Sequence, residues 1–432
     1  MQSKLSNATP PSGLNLDFWK FWAGQTISNL GSSFTAFALP LLIYKLTGSA
    51  LNLAFATAAA FLPYLLFGLL IGAWVDRLNR KRLMIAADLI NAGLLASIPL
   101  LATLGMLSIW WIYVVGFIGS TIGIAFQSAE FAAIPSLVNQ DDLVTANGRI
   151  QASYSAAAVA GPLLAGLLIA VMPIYDIILF DALSFVVSAL SLVLIRRSFN
   201  AATTEERQTN IRQDIMKGLR YVMIGHPVLR NISLMMALVN FVGSTTNTQL
   251  VLFAQQRLHA SDSQVGYLYS AGSLGIVLLA LLAGVLRKRW SFSTVALGAL
   301  MLSGLLQIVF SLNTGYWMAL VLWALYSGLG ILFNINTGSL RQAIVPNHML
   351  GRVMSIAGVL AWSAIPVGTF IGGLAIEKTG NVMLVYTVIG GLVFLIPLGF
   401  WFTPLGHAER YLPAPAASNN QESAQPVGSV SS

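Results

Sequence analysis

The stretch Gly72 to Arg82, with the sequence GAWVDRLNRKR, places a cluster of charged residues between two long apolar runs. A run of about twenty apolar residues can cross the roughly 30 Å hydrocarbon core of a bilayer as a helix, because each residue adds about 1.5 Å. Most of the charges in the stretch are basic, and basic residues are retained on the cytoplasmic side of a membrane. The stretch therefore predicts a tight cytoplasmic turn between two membrane helices.

The composition places the rest of the chain in the membrane as well. Of the 432 residues, 56% are hydrophobic and 9% are charged, and the mean hydropathy is +0.76, so there is too little polar surface for a soluble protein of this size. Long apolar runs lie near residues 18–44, 49–73, 83–104, 109–131, 149–171, 174–195, 228–253, 263–286, 292–312, 316–339, 353–376 and 382–403. Continuous runs do not fit the alternating pattern of a transmembrane barrel. The predicted class is an all-α membrane protein with twelve transmembrane helices.

Basic residues fix the predicted orientation. When successive loops are placed on alternate sides, 20 of the 23 Lys and Arg residues lie on one side, and only Lys45, Arg257 and Lys378 lie on the other. This bias predicts that both termini are cytoplasmic. The net charge of +8 does not indicate a nucleic-acid partner, because the basic residues form short separate clusters rather than a continuous face. Since the chain has no Cys, we expect no disulfide, and we expect no metal site or cofactor.

The chain reads as a duplication. The segment Asn29-Leu-Gly31-Ser32 recurs as Asn240-Phe-Val-Gly243-Ser244, and Gly148-Arg149 recurs as Gly351-Arg352. Two pseudo-symmetric six-helix bundles follow from such a repeat. The predicted organisation is a disordered N-terminus (1–13), an N-terminal bundle (14–197), a cytoplasmic loop (198–227) with an amphipathic helix over 208–222, a C-terminal bundle (228–404) and a disordered tail (405–432).

These features resemble a known transporter family. The order Gly72, three residues, Asp76-Arg77, two residues, Arg80-Lys81 resembles the signature loop between helices 2 and 3 of the major facilitator superfamily. Asn79 stands where that family usually has glycine, and asparagine also enters left-handed conformations cheaply. Further segments resemble the branch of macrolide-efflux and enterobactin-exporter proteins, also called transmembrane secretion effectors: Phe21-Trp22-Ala23-Gly24-Gln25, Tyr44, Leu46-Thr47-Gly48-Ser49-Ala50, Phe61-Leu62-Pro63-Tyr64 and Ala87-Asp88-Leu89-Ile90.

The resemblance implies a function as well as the major facilitator fold. It implies a multi-pass protein of the bacterial inner membrane that exports a bulky amphipathic organic molecule, such as a macrolide drug or a siderophore. Proton antiport with alternating access would drive the export. The expected partners are the small-molecule substrate, protons and the lipid bilayer, and the expected state is a monomer. A metabolite importer or uniporter of the same fold and a membrane sensor that does not transport remain alternatives.

The loop between helices 2 and 3 is a candidate conformational latch, formed by Gly72, Asp76, Arg77, Arg80 and Lys81. The resemblance implies that Asp76 lies against the positive N-terminal end of helix 11 and stabilises the outward-open state. The alternative is that the cluster is only an insertion signal. The C-terminal copy, Arg287-Lys288-Arg289, keeps the basic charge but has no acid, which favours the latch because an insertion signal needs no acid.

Span 5 carries a second motif of small residues. It comprises Gly148, Arg149, Ala157, Gly161, Pro162, Ala165 and Gly166. The pattern resembles the helix 5 motif of drug and proton antiporters, with alanine in place of glycine at positions 157 and 165. Small residues allow helices to approach closely, and the proline bends the helix. The alternative is generic helix packing.

Acidic residues inside the membrane are costly and are therefore functional candidates. Asp181 lies furthest from both predicted faces, at the head of a stripe of serines, and is the candidate for proton coupling. A structural acid that is hydrogen-bonded to a neighbouring helix is the alternative, because the family places helix 6 at the periphery. Asp88 and Glu130 are predicted near the cytoplasmic helix ends, where they would form a charge network with Arg77 and Arg80.

Neutral polar residues on spans 1, 7 and 10 are candidates for the substrate cavity. They are Gln25, Asn29, Ser33, Asn240, Ser244, Asn247, Trp323, Ser327 and Asn334. Such groups among aromatic residues suit a bulky amphipathic ligand better than a ligand with fixed charges. The alternative is that they form hydrogen bonds between helices.

Enzymatic function finds no support in the sequence. No HExxH, GxSxG, P-loop or GxGxxG motif occurs, and the four His residues are scattered over the loops. We therefore predict a transporter that is not driven by ATP.

Overall fold

The computed structural model describes residues 14–75, 77–139, 142–200, 216 and 219–411. Among these residues, twelve helices are long and apolar enough to cross a membrane, which confirms the predicted all-α class. Their bounds are α1 Leu16–Thr47, α2 Ala50–Val75, α3 Arg80–Thr103, α4 Ile109–Leu137, α5 Leu143–Leu168, α6 Ile174–Val193, α7a Pro227–Thr248 and α7b Leu250–Arg257, α8 Asp262–Arg289, α9 Phe292–Leu312, α10 Tyr316–Ile344, α11a Asn347–Trp362 and α11b Ala364–Thr379, and α12 Val382–Trp401. The face of the membrane at which α1 begins and α12 ends is called the terminal face, and the other is the opposite face.

Two of the twelve spans are interrupted, which the sequence did not predict. Span 7 breaks at Gln249, a fully buried residue, and span 11 breaks at Ser363. Pro366 follows the second break and has no backbone N–H to donate to the preceding turn. Span 4 is also longer than predicted, because it continues to Leu137 rather than to 131.

The two ends that were predicted to be disordered and the central loop lie only partly within the described residues. The tail was predicted to begin at 405, but Pro404–Tyr411 forms a 3₁₀ helix in which Leu405 and Ala408 are buried against the C-terminal bundle. These apolar side chains hold the chain against the bundle beyond the predicted boundary. Residues 1–13, 412–432 and most of the predicted amphipathic helix 208–222 lie outside the described residues. Tyr221–Gly225, at its end, forms a short π-helix before α7a.

Helix pairings repeat between the two halves of the chain. In the N-terminal half, α2 packs on α4, α3 on α6 and α1 on α5; in the C-terminal half, α8 packs on α10, α9 on α12 and α7a on α11b. Adding six to the span numbers of each N-terminal pair gives the corresponding C-terminal pair. The chain therefore forms two six-helix bundles with the same internal arrangement.

The two halves meet along two seams, α2 with α11b and α5 with α8. At the α5 and α8 seam, a Cβ added to Gly166 would lie 3.1 Å from the Cα of Gly266, so the backbones touch. Lys45 of α1 forms an ion pair with Asp262 of α8. At the other seam, the Nε2 of Gln249 donates to the carbonyl of Ala50 at 2.7 Å. All these contacts lie at the opposite face, and they close the space between the halves there.

Candidate functional site

A central cavity of about 480 Å³ lies between the halves, beneath the closed opposite face. Three of the predicted cavity residues, Asn240, Ser244 and Asn247, line it. Asn240 also donates to the carbonyl of Ala361 at 3.0 Å, and Ser244 to that of Phe241 at 3.2 Å. Asn240 and Ser244 therefore line the cavity and also form hydrogen bonds to main-chain carbonyls of the helices. The rest of the lining is mainly apolar and aromatic: Pro40, Ile43, Leu53, Ala56, Thr57, Phe61, Val239, Gly243, Thr248, Tyr269, Tyr326 and Ile365.

A second cavity, of about 430 Å³, lies inside the N-terminal half and is called the N-half cavity. It is lined by Gln25, Ser28, Asn29, Ser32, Thr35, Ala36, Leu39, Asp88, Asn91, Leu94, Leu95, Val115, Gly116, Gly119, Ser120, Gly123, Phe126, Gln127, Tyr154, Asp181 and Phe185. Among these described residues none is Lys, Arg or His. The predicted candidates Gln25 and Asn29 therefore face this cavity rather than the central one. Ser33 lies against Gly161 of α5, and its hydroxyl donates to the carbonyl of Asn29 at 2.9 Å.

Asp181 is 1% exposed and points into the N-terminal bundle. Its Oδ1 accepts from the hydroxyl of Ser184 at 3.2 Å and from that of Ser32 on α1 at 3.4 Å. Gly31 permits this approach of α1 to α6, because a Cβ there would lie 2.3 Å from the Oγ of Ser184 and 2.8 Å from the Oδ1 of Asp181. The carboxyl group of α6 is thus held by hydroxyls and lines a cavity.

Asp88 has a different environment from the predicted one. It lies eight residues after the start of α3, about 12 Å along the helix, and is 1% exposed. No ion pair joins it to Arg77 or Arg80 among the described residues. The predicted charge network is therefore wrong for Asp88. Ser188 of α6 lies beside Asp88. The hydroxyl of Ser188 accepts from Gln25 at 2.9 Å, which leaves its own hydrogen free to donate to Asp88.

Glu130 also lies deeper than predicted, because α4 continues for seven residues beyond it. It is 5% exposed, and its Oε2 accepts from the hydroxyl of Tyr154 on α5 at 2.8 Å, while its Oε1 has no partner. The side chain of Asn29 lies close to the same tyrosine. Glu130 thus joins the N-half cavity through Tyr154, not a basic loop. Tyr154 was missed in the sequence because it reads as an ordinary helix residue.

The C-terminal half contains a smaller cavity of about 260 Å³, lined by Ser327 and Asn334 among others. Trp323 does not line any of these cavities; it is 4% exposed and stacks on Tyr326 at 5.2 Å between ring centroids. Arg341 is buried near the terminal end of α10, with its Nη2 3.7 Å from the Sδ of Met236. The three predicted residues of span 10 therefore divide between a cavity and the core.

Basic residues of the loop between α2 and α3 bind main-chain carbonyls. The Nη1 of Arg80 donates to the carbonyls of Ala132 at 3.1 Å and Phe199 at 3.3 Å. The Nζ of Lys81 donates to the carbonyls of Val193 at 3.3 Å and Ile195 at 2.6 Å, at the end of α6. Gly72 lies within α2, and Arg77 in the turn after it. Asp76, on which the latch depends, lies outside the described residues.

The small residues of α5 pack against two different helices. A Cβ on Gly161 would lie 2.3 Å from the Cβ of Ser33 on α1, whereas Gly166 meets Gly266 of α8. Ala157 and Ala165 are buried, and Pro162 lies inside the helix. Gly148 borders open space, and the guanidinium of Arg149 lies 4.7 Å from the ring centre of Trp19. The motif thus holds α5 between its own bundle and the other half.

Known proteins share this sequence pattern over nearly the whole chain. The sequence profile of the transmembrane secretion effector family matches residues 12–420. The chain belongs to this family of major facilitator transporters. This chain is 28% identical to macrolide efflux protein A of Streptococcus pyogenes over 375 residues, an alignment that covers 84% of this chain and 90% of the relative. It is 27% identical over 363 residues to the multidrug efflux pump Tap of Mycolicibacterium fortuitum, which covers 81% and 87%.

Solved structures share the fold of this chain. A bacterial homologue of the human lysosomal transporter Spinster, inward-facing and unoccupied, aligns with a TM-score of 0.71 at 16% identity over 93% of this chain and 98% of that one. The nucleoside transporter NupG aligns with a TM-score of 0.74 at 12% identity over 89% and 98%. The chain is therefore a multi-pass membrane transporter of an efflux branch, with a small-molecule substrate, and not an enzyme.

Proposed function

We propose that this transporter exports a bulky amphipathic organic molecule in exchange for protons. The observation that carries the proposal is the N-half cavity, in which the carboxyl groups of Asp88 and Asp181 are buried and no basic residue is present among the described lining residues. A buried carboxylate without a cationic neighbour is strongly disfavoured in a membrane, so such a group favours binding of a proton or another cation. The central cavity, with its aromatic and amide lining, would hold the body of the substrate.

The acids of the N-terminal half lie at different depths. Along their helices, Glu130 is about 10 Å, Asp88 about 12 Å and Asp181 about 18 Å from the terminal face, at about 1.5 Å per residue. A proton that enters from the opposite face can therefore reach Asp181 first and leave toward the terminal face past Asp88 and Glu130. Asp181 is the proposed coupling residue.

Alternating access would supply the transport step. The halves are joined at the opposite face by Lys45 with Asp262, by Gln249 with Ala50 and by the backbones of Gly166 and Gly266. These contacts would break while contacts at the terminal face form, and the central cavity would then face the other side. The charge bias of 20 to 3 supports a cytoplasmic terminal face in the bacterial inner membrane. Reporter fusions after Arg289 and His259 test this orientation, and a cytoplasmic signal at His259 would contradict it.

Transport by purified protein tests the function directly. Proteoliposomes with an imposed pH gradient should accumulate radiolabelled erythromycin, and nigericin, which collapses the gradient, should abolish the accumulation. Equilibration without accumulation would indicate a uniporter. Binding without any flux would indicate a sensor. Either outcome would overturn the proposal.

A further inference from the structure

We propose that a cavity at the break of span 11 binds an uncharged aromatic amphiphile, and that the bound molecule holds the transporter in the state that is open toward the terminal face. This cavity, called the seam cavity, has a volume of about 260 Å³ and lies between α2, α4 and α11a. Among the described residues, it shares no lining residue with the central cavity. The inference rests on the alternating access of the proposed function and adds a ligand site to it.

The walls of the seam cavity belong to both halves of the chain. Tyr64 and Gly68 lie on α2 and Gln127 lies on α4, whereas Gly358 and Trp362 lie on α11a. Tyr64 and Gln127 are about 15 Å along their helices from the terminal face. The seam cavity therefore lies inside the membrane, where the N-terminal half meets the C-terminal half.

The seam between α2 and span 11 opens at the break. On α11b, a Cβ added to Gly373 would lie 2.7 Å from the Cβ of Ala54 on α2, so the two helices touch there. On α11a, a Cβ added to Gly358 would have nothing within 4 Å, and the same is true of Gly68 on α2. These two glycines leave open space between helices that are in contact on the other side of the break.

The break of span 11 also leaves a main-chain acceptor beside this space. The side chains of Ser363 and Asn240 donate to the two carbonyls that precede Trp362, at 3.2 and 3.0 Å. The carbonyl of Trp362 itself lacks its helical donor, because the residue four positions later is Pro366. Interrupted backbone inside a membrane is tolerated where it lines a cavity. Because Trp362 lines the seam cavity, a hydroxyl or amide group of a ligand has an acceptor at the break.

The lining suits an uncharged aromatic ligand. None of the described lining residues is charged, so an ionised ligand would lose its hydration there without gaining a counter-charge. The rings of Tyr64 and Trp362 meet edge to face across the seam, with their centroids 5.6 Å apart, and they provide aromatic surface. The amide of Gln127 lies beside the phenol of Tyr64. An apolar body with a few convergent polar groups around it favours an aromatic amphiphile that carries a hydroxyl or amide donor.

A ligand at this seam favours one conformational state. Tyr64 belongs to the N-terminal half and Trp362 to the C-terminal half, so a molecule that lies beside both rings opposes closure of the terminal face. In the proposed transport cycle, the terminal face closes as the opposite face opens. A ligand that binds the terminal-open state more tightly shifts the population toward that state. Such a ligand inhibits transport without competing for the central cavity.

Photolabelling of the full-length protein in nanodiscs locates the ligand. The probe is 4-(hydroxymethyl)benzophenone, an uncharged aromatic molecule with a hydroxyl donor, which inserts into nearby C–H bonds on illumination. Mass spectrometry should find saturable labelling of residues 354–362. Labelling of Met318, which is 57% exposed, should instead rise in proportion to the probe concentration. Labelling of residues 354–362 that also rises without saturation would overturn the site.

A variant that fills the seam cavity provides the matched comparison. Gly358→Leu should reduce the saturable labelling about tenfold or more. The control is Gly330→Leu, because Gly330 lines the cavity of the C-terminal half and a Cβ there also has nothing within 4 Å. Both variants replace a helical glycine with a better helix former and should unfold at or above the wild-type temperature. Unchanged labelling in Gly358→Leu, or an equal loss in Gly330→Leu, would overturn the site.

Spin labels measure the effect on conformation without relying on transport. Labels on Leu46→Cys and Ser261→Cys report opening of the opposite face, since the chain has no native Cys. Saturating probe should lower the long-distance population about threefold or more, and should not change it when Gly358→Leu is added. An unchanged or larger long-distance population with the probe would overturn the proposed effect on the terminal-open state.

Erythromycin export separates this inference from the proposed function. In proteoliposomes, the probe should lower the maximal rate of export without raising KM, and Gly358→Leu should be resistant to it. A rise in KM alone would place the probe in the central cavity and overturn the inference, while export itself remains established. A protein that does not export erythromycin against a gradient would overturn the proposed function, and saturable labelling with the spin-label shift would still support the site.

Discussion

The two halves of this transporter share their helix pairings but differ in what they bury. The N-terminal half buries Asp88, Glu130 and Asp181, whereas the charged side chain buried in the described part of the C-terminal half is Arg341. The C-terminal half has instead a stack of aromatic rings. Phe253 lies 4.7 Å from Phe310 and 4.6 Å from Tyr386, between ring centroids.

This difference shows that the two halves share an arrangement of helices without sharing their buried chemistry. Asn29 and Asn240 occupy matching positions in the repeat, but the side chain of Asn29 lies beside Tyr154 at the N-half cavity, whereas the Nδ2 of Asn240 donates to the carbonyl of Ala361. We infer that the N-terminal half carries the ionisable chemistry and that the C-terminal half provides a rigid wall for the central cavity. The predictions below challenge this division.

The largest expected effect concerns the rigidity of the C-terminal half. Phe253 is fully buried in the aromatic stack, so Phe253→Ala should lower the free energy of unfolding by about 3–5 kcal/mol. Phe402, which is 81% exposed, is the matched control. Phe402→Ala should change the free energy of unfolding by less than about 0.5 kcal/mol. Thermal unfolding in detergent compares the two. Equal losses would show that the stack does not stabilise this half.

The second prediction compares the two glycines of the repeated segment. A Cβ on Gly31 would collide with Ser184 and Asp181, whereas a Cβ on Gly243 would have nothing within 4 Å. Gly31→Ala should therefore cost about 1–3 kcal/mol of stability, and Gly243→Ala should not destabilise the protein. Adding Ser184→Gly should restore part of the loss in Gly31→Ala. Equal effects at both glycines would contradict the closer packing of α1 on α6.

A third prediction concerns the loop acid that only the N-terminal half carries. Asp76→Asn should reduce efflux roughly twofold to fivefold at equal membrane level, because a carboxylate at a helix N-terminus contributes about 0.3–1 kcal/mol. The position of Asp76 is not described, so this prediction rests on the sequence alone. Arg287→Gln, in the copy without an acid, is the control and should leave efflux per molecule unchanged. Efflux at the wild-type level in Asp76→Asn would contradict the hypothesis that Asp76 acts as a conformational latch.

The smallest effect is expected at the ion pair between the halves. Lys45 and Asp262 are partly exposed, so Lys45→Met should weaken the closed opposite face by no more than about 1 kcal/mol. Spin labels on Leu46→Cys and Ser261→Cys report the opening without background, since the chain has no native Cys. The long-distance population should rise by up to about fivefold. A decrease would mean that the pair does not stabilise closure.

The sequence predicted the fold well because its signals are local. The lengths of the apolar runs and the charges between them can be recognised from short stretches of sequence. The repeat is recognised by comparing two such stretches, the one at Asn29 and the one at Asn240. The environment of Asp88 could not be read in this way. It depends on the packing of α3 against α6, which places Asp88 beside Ser188, and on the direction of Arg80, which binds the carbonyls of Ala132 and Phe199 instead.

Depth in the membrane was also difficult to predict from the sequence. Glu130 was placed near a helix end because the apolar run was cut at Phe131, although α4 continues through Pro135 to Leu137. The contact of Glu130 with Tyr154 joins two helices and leaves no spacing pattern in the sequence. For Asp181, helical periodicity did predict the shared face with Ser184, since these residues lie on one helix.

Transport by Asp181→Asn in proteoliposomes tests the division between the halves most directly. The account predicts that this variant does not accumulate erythromycin under an imposed pH gradient but still exchanges it at equal concentrations, whereas Asp176→Asn behaves as the wild type in both assays. Retained exchange shows that the protein is folded and binds its substrate. Accumulation by Asp181→Asn at the wild-type level would contradict the account and would leave Asp181 as a structural acid held by Ser32 and Ser184.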